Sequence, residues 1–291
     1  MVTQLVKAKA NADVHGQVDK KKTLKHDYFL ENFDMALPGI SRFRGRVALV
    51  TGASVGIGAA IADSLAKHGL IVVGCARNPN PIDVLAKNLT ENEATGKLVS
   101  YKCDLTKDEE VEQMFQWISD NFGGVDVCIN NAGMALNDSL LESDPSSLRG
   151  MLDLNVIALV MCTKLAVKSM RARGVDDGHI ININSVLGHQ TRETVHSYTA
   201  SKYAVTALTE GFRKEIFNLG LNIRISSISP GLVKTHIFYA QLGEEKAEEL
   251  YSAVPWIQSE DVANAVLHAL SQPSNVQVHD ILLESVKVKP T

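Results

Sequence analysis

Cysteine is scarce in this 291-residue chain, long apolar runs are missing, and charge of neither sign dominates. Each scarcity excludes something. The four cysteines, Cys75, Cys103, Cys128 and Cys162, form no C-x-x-C pair and fall in predicted strands or helices. They read as small core residues of a reducing compartment, not as disulfides or a zinc site. His189, His196 and His236 have no metal-ligand context, so no metal is expected. The longest apolar run, Val156 to Cys162, is stopped by Thr163 and Lys164. That is far short of the roughly 18 residues of a spanning helix, and it predicts a buried helix instead. A net charge of -4 gives no reason to expect nucleic acid or an acidic membrane surface as partner. The first residues lack the apolar segment of a secretory signal, so a cytoplasmic protein is expected.

What is present is ordinary for a globular chain with a sizeable core: 45% hydrophobic and 21% charged residues. Residues 1–40 differ, with six lysines, five acids and the run Lys20-Lys21-Lys22. They predict a disordered or weakly helical extension, with Met35 a second candidate start. From residue 41 to 291 a single domain is expected. Strands are predicted at Val47–Val50, Ile71–Cys75, Leu98–Cys103, Val125–Ile129, His179–Asn184, Ile223–Ile228 and Val276–Leu283. Helical spacing fills Ile57–His68, Pro81–Leu89, Lys107–Asn121, Pro145–Arg173, Ser197–Leu219 and Ser259–Leu270. Apolar strands alternating with helices predict an α/β, doubly wound, parallel seven-stranded sheet covered on both faces. Ligands in such sheets bind at the carboxyl ends of the strands where the strand order reverses.

Thr51-Gly52-Ala53-Ser54-Val55-Gly56-Ile57-Gly58 lies between the first strand and the first helix. Gly52 allows the tight turn, Gly56 a close approach of backbone to pyrophosphate, and Gly58 close packing of helix on strand. The second strand ends Ala76-Arg77-Asn78. Ala76 offers no carboxylate to a ribose diol, whereas Arg77 presents a fork of donors to a 2′-phosphate. The expected cofactor is therefore NADP. Downstream, Tyr198 and Lys202 stand four residues apart, thirteen after Ser185. On a helix the two would share a face. Lowering a phenol pKa from about 10 to roughly 7 takes about 4 kcal/mol. One charge about 4 Å away supplies that at an effective dielectric near 20, and only about 1 kcal/mol in water. The pair thus predicts a proton-transfer device in a partly closed cleft.

Thr51-Gly52-x-x-x-Gly56-x-Gly58, Asn130-Asn131-Ala132-Gly133, Ser185, Tyr198-x-x-x-Lys202 and Pro230-Gly231 together resemble the short-chain dehydrogenases/reductases over about Arg44 to Leu283. Val73–Arg77, Asp176–Ser185 and Tyr203–Gly211 look most like the branch that includes the insect NADP-dependent farnesol dehydrogenases. The resemblance implies oxidation of lipophilic alcohols or reduction of the matching carbonyls, farnesol-type isoprenoids first, with 3- or 17-hydroxysteroids as the alternative. It implies that Ser185 holds the substrate oxygen, Tyr198 moves its proton, and Lys202 binds the nicotinamide ribose. Asn155 would hold a relay water. Gly52, Ser54, Gly56, Ile57, Gly58, Arg77, Asn78, Asp104, Leu105, Asn131, Ala132, Gly133, Tyr198, Lys202, Pro230, Gly231, Val233 and Thr235 would line the cofactor, Asp104 at the adenine and Thr235 at the nicotinamide amide. Read alone, Asp104 also fits a cap of the next helix, and Asn155 a cap or a bend in its own long helix. Family members assemble as homodimers or homotetramers through helices matching Pro145–Arg173 and Ser197–Leu219.

The segment Leu232 to Trp256 mixes Ile237, Phe238, Tyr239, Leu242, Tyr251, Val254 and Trp256 with charges. It reads as a mobile lid over a lipophilic substrate, or else as an amphipathic surface helix. Two other functions fit the residues less well. A non-catalytic NADP-binding regulator is disfavoured by the complete Asn155, Ser185, Tyr198 and Lys202 set. A sugar-nucleotide epimerase is disfavoured by the short tail after Pro230.

Overall fold

The computed structural model describes residues 39–136 and 139–288. The compositional reading of residues 1–38, Met35 included, lies outside them. Seven strands, β1 (Val47–Thr51), β2 (Ile71–Ala76), β3 (Lys97–Lys102), β4 (Val127–Asn130), β5 (His179–Ile183), β6 (Arg224–Pro230) and β7 (Asp280–Leu283), form one sheet in the order β3-β2-β1-β4-β5-β6-β7. All pairings are parallel. The chain leaves β1 toward one edge and, after β3, crosses back to lay β4 on the other side of β1. The crevice between the carboxyl ends of β1 and β4 is therefore the switch point.

Alternation along the strands separates two cores. Ala48 and Val50 of β1 point to one face with Ile129, Ile181 and Ile228, and there they meet α1 (Gly56–Lys67), α2 (Asn80–Glu91) and α9 (Ser259–Ser271). Val47 and Leu49 point to the other, with Val73, Cys128, Ile180 and Ile225. That face is covered by α3 (Asp108–Phe122), α5 (Ala158–Ala172) and α6 (His196–Asn218). All four cysteines are free, buried thiols, and all lie in this second core.

Several predicted boundaries shift for identifiable reasons. Ile40, assigned by composition to the extension, is 2% exposed and packs with Phe43 in the first core, in a 3-10 turn Ile40–Phe43. β7 begins at Asp280, not Val276, because the Gln277 side chain takes the backbone slots: its Oε1 accepts from the Ile225 N–H and its Nε2 donates to the Ile225 carbonyl. β4 starts at Val127 because Asp126 turns its carboxylate onto the Val47 N–H. The long helix predicted over Pro145–Arg173 is α4 (Pro145–Leu152) and α5 joined by a π-helical turn, Asp153–Ile157. By length and mean hydropathy this composite helix could span a membrane. Its Met151, Ala158, Cys162, Ala166 and Met170 are nevertheless buried, the last four in the core beneath the sheet. Finally, Leu232–Trp256 contains two helices, α7 (His236–Leu242) and α8 (Glu244–Ala253), broken by Gly243 at φ 82°.

Candidate active site

The glycine turn sits at the switch point, and its shape is set by side chains around it. Gly52 has φ +66°, and a Cβ there would lie 2.9 Å from the Ala132 Cα. A Cβ on Gly58 would fall 2.2 Å from the Gly52 carbonyl oxygen. Thr51 and Asn131 lock the two strand ends together. The Thr51 hydroxyl accepts from the Asn131 and Ala132 N–H groups at 2.9 and 3.0 Å and donates to the Ile129 carbonyl. Asn131 Nδ2 donates to the carbonyls of Thr51 and Gly52. Asn131 thus shapes the turn through its amide nitrogen. Ser54 and Ile57 lie partly buried in the turn and the first helical residues.

Helix α1 starts after Val55 with no side-chain cap and no acid in its first turn. Its free N–H groups and positive dipole end fit an anion such as a pyrophosphate. At the end of β2, Arg77 is exposed and makes no hydrogen bond or ion pair among the described residues. Its charge reaches Asp104, whose carboxylate is held below its ordinary range, first by the Thr106 hydroxyl. Asp104 accepts from Thr106 N and Oγ1, and α3 begins only at Asp108, so Asp104 closes a local turn and does not cap the helix. Asn78 accepts from the Asn80 N–H at the start of α2. Leu105 is 6% exposed and belongs to the second core.

Catalytic candidates converge from β5, α6 and the π-turn. Tyr198 and Lys202 share a face of α6, and the Lys202 Nζ lies 5.6 Å from the phenol ring centre. Ser185, just past β5, has its hydroxyl in hydrogen-bonding reach of the Tyr198 phenol. It also accepts from the Leu187 N–H at 3.1 Å. Lys202 is 6% exposed, and its ammonium donates to the Ile183 carbonyl at 2.9 Å. An ammonium has three donors, so two are left without a protein partner among the described residues. These spare donors fit the hydroxyls of a nicotinamide ribose.

The expected lowering of the tyrosine pKa by lysine is not what the chain's own groups produce. Burial pushes Tyr198 up to about 12, opposed by the Ser185 hydrogen bond. Burial likewise pushes Lys202 down to about 8. The closed cleft that strengthens a charge–charge attraction also removes the water that stabilises each ion, and here desolvation wins.

Asn155 is 2% exposed within the π-turn. Its Oδ1 accepts from the Met134 N–H, and its Nδ2 donates to the Met134 carbonyl and the Ser201 hydroxyl. Ser201 in turn donates to the Tyr198 carbonyl at 2.7 Å. The widened turn neither caps nor simply bends its helix; π-turns of this kind concentrate at functional sites. Gly133 lies against the Asn155 Oδ1, where an added Cβ would be 3.3 Å away.

Pro230 ends β6, and the Gly231 N–H donates to the Leu283 carbonyl. Val233 is 5% exposed and bridges Ile257, and Thr235 precedes α7. The structure thus brings the predicted residues to the carboxyl ends of β1 through β6, Asp104 and Leu105 following β3, and to the helices beside them. Sequence reasoning gave no role to Thr51 and Ser201. Both stand inside motifs already singled out, so their hydroxyls were a readable signal.

The model of the family described as short chain dehydrogenase matches residues 46–246. A dehydrogenase/reductase SDR family member 11 from Gallus gallus is 49% identical over 246 residues, 83% of this chain and 96% of the relative. A farnesol dehydrogenase from Aedes aegypti is 46% identical over 253 residues, 86% of this chain and all of the relative. Among solved structures, an alcohol dehydrogenase from the archaeon Thermococcus sibiricus, complexed with 5-hydroxy-NADP, superposes with a TM-score of 0.74 at 27% identity, covering 84% of this chain and 99% of that one. With the sheet order, the glycine turn and the Ser185, Tyr198 and Lys202 cluster all in place, the chain belongs to the short-chain dehydrogenase/reductase family.

Proposed function

We propose that this protein is an NADP-dependent oxidoreductase acting on the CH–OH group of a lipophilic alcohol, farnesol-type in the first instance, or on the matching carbonyl. When bound, NADP would accept the hydride from the carbinol carbon, and its reduced form would return one. The observation that carries the reading is the buried Lys202 ammonium with two spare donors beside Tyr198 and Ser185. Ser185 positions the substrate oxygen, and Tyr198 takes its proton during oxidation or supplies one during reduction. Lys202 grips the ribose and, 5.6 Å from the phenol ring centre, keeps a cation beside the proton-transferring group. Both N–H donors of the Asn155 amide are spent, so a relay water meets this residue only as an acceptor.

Arg77, exposed and without a hydrogen bond or ion pair among the described residues, supports NADP over NAD, and one structural relative is complexed with an NADP analogue. The farnesol dehydrogenase relative supports an isoprenoid alcohol. Ile157, Tyr203 and Phe217 are 49%, 42% and 80% exposed along the π-turn and α6, which supports a homodimer or homotetramer built on those helices. Four free buried thiols support a cytoplasmic site of action.

The test is the initial rate of NADP reduction with farnesol, with Tyr198→Phe as the blank. Loss of the phenol oxygen removes acid–base help worth about 10²–10⁴-fold and should spare NADPH binding. Wild-type turnover in Tyr198→Phe would sink the mechanism. NADPH binding without farnesol turnover would move the substrate to hydroxysteroids and ketosteroids.

A further inference from the structure

Tyr251 is 5% exposed, lies on α8, and carries no role in the chemistry above. Its phenol oxygen accepts from the Thr235 N–H at 3.1 Å and donates to the Thr235 carbonyl at 2.9 Å. It also reaches the Thr235 side-chain hydroxyl. One phenol therefore engages every polar group of Thr235. The Val233 carbonyl stands 3.4 Å from the same oxygen.

The ring is fixed as firmly as the oxygen. Phe238 and Trp256 meet it edge-on at 6.0 and 6.5 Å, and Tyr239 lies at 5.7 Å. The Lys234 ammonium sits over both Tyr251 and Trp256, and the Trp256 indole N–H donates to the Tyr251 carbonyl. From the other side, the Val233–Ile257 bridge holds residues 232–234 through the Ile257 N–H to Leu232 and the Lys234 N–H to Ile257. Thr235 is thereby pressed onto the glycine turn: its Cβ lies 3.2 Å from where a Gly56 Cβ would be.

We infer that Tyr251 is a positioning residue for the nicotinamide half of the cofactor: by gripping Thr235, it sets where that residue stands over the glycine turn. The inference rests on the reading of the site as an NADP cleft. It divides the segment read from sequence as one lid. Helix α8 is an anchored platform, with Ala247 and Tyr251 buried, while the described side chains of α7, Ile237, Phe238, Tyr239 and Leu242, are only partly buried, and α7 adjoins Gly243, whose φ 82° and ψ 167° suit glycine alone.

The experiment compares NADPH with 2′,5′-ADP, a fragment carrying only the adenosine end, on wild type and Tyr251→Phe by equilibrium titration. Phenylalanine keeps the ring packing and removes the oxygen. NADPH affinity should fall about tenfold, in line with the loss of two buried hydrogen bonds, while 2′,5′-ADP affinity stays within twofold. A parallel loss for both ligands means that Tyr251 supports the fold generally, and no loss for either means that Thr235 needs no grip; each result overturns the inference. A wild-type protein that binds neither ligand overturns the NADP reading itself.

Discussion

Asn155 grips Met134 from both sides, its Oδ1 accepting from the Met134 N–H and its Nδ2 donating to the Met134 carbonyl, each at 2.9 Å. The same Nδ2 reaches Ser201, one residue before Lys202. A single side chain thus ties the loop after Asn131-Ala132-Gly133 to the helix that carries Tyr198 and Lys202. Asn155→Ala would free both. A displacement of about 1 Å in a catalytic group costs about 10²-fold, so kcat with saturating alcohol should fall by about that factor. Because Arg77 and the glycine turn are untouched, 2′,5′-ADP affinity should hold. Unaltered kcat in the variant would show that the loop keeps its place without the clamp.

Arg77 decides the nucleotide on this reading, since Ser54 and Val55 bring no charge to the turn. Charge-assisted hydrogen bonds contribute about 1.5–3 kcal/mol, roughly a tenfold to hundredfold preference. Arg77→Asp removes the donors and sets a carboxylate where the 2′-phosphate would lie. The ratio of kcat/KM for NADP over NAD should then fall by at least about tenfold. An unchanged ratio would take Arg77 out of the site.

The sequence carried the sheet and most of the site because each depends on a local pattern. Strand alternation separated the two cores, and Gly52, Gly58, Ser185, Tyr198 and Lys202 had motif context. What stayed hidden depends on contacts distant in sequence. Nothing around Asp153–Ile157 announces a π-turn, because its reason is the reach of Asn155 to Met134 and Ser201. Gln277 looks like strand until its amide is seen standing in for a ladder bond with Ile225. The electrostatics of the pair differ from the sequence expectation for a related reason. The Tyr198–Lys202 spacing speaks of attraction, whereas the desolvation that outweighs it depends on how the whole domain closes around the pair.

Helix α7 supplies the apolar groups of the expected substrate cover, with Ile237 and Phe238 partly buried. Burial of an aromatic side chain contributes about 1.5–3 kcal/mol. Phe238→Ser should raise the KM for farnesol about tenfold and leave that for a short alcohol nearly unchanged. Phe238 also touches Tyr251, so NADPH affinity must be followed alongside. Equal rises for long and short alcohols, with weakened NADPH binding, would place the effect on Tyr251 instead of the substrate.

Lys202 should cost the free protein stability. Its folded pKa of about 8 lies below the ordinary 10.5, and burial is the cause. At about 1.36 kcal/mol per unit, holding the charged form costs on the order of 3 kcal/mol at neutral pH. Lys202→Met keeps the length of the side chain and discards the charge, so the free variant should melt higher than wild type at pH 7. The sign of the pH dependence follows from linkage. Between pH 8 and 10.5 the unfolded chain binds the extra proton, so wild-type stability rises with pH across that window. The gap between the two melting temperatures should therefore be widest below pH 8 and close toward pH 10.5. A gap of constant size would show that the lysine titrates normally. Saturating NADPH should reverse the ranking, because the two spare donors then have partners: it should raise the wild-type melting temperature more than that of Lys202→Met, while the variant loses most of its turnover. Stability of the empty cleft and competence of the loaded one are thus set against each other at a single ammonium group.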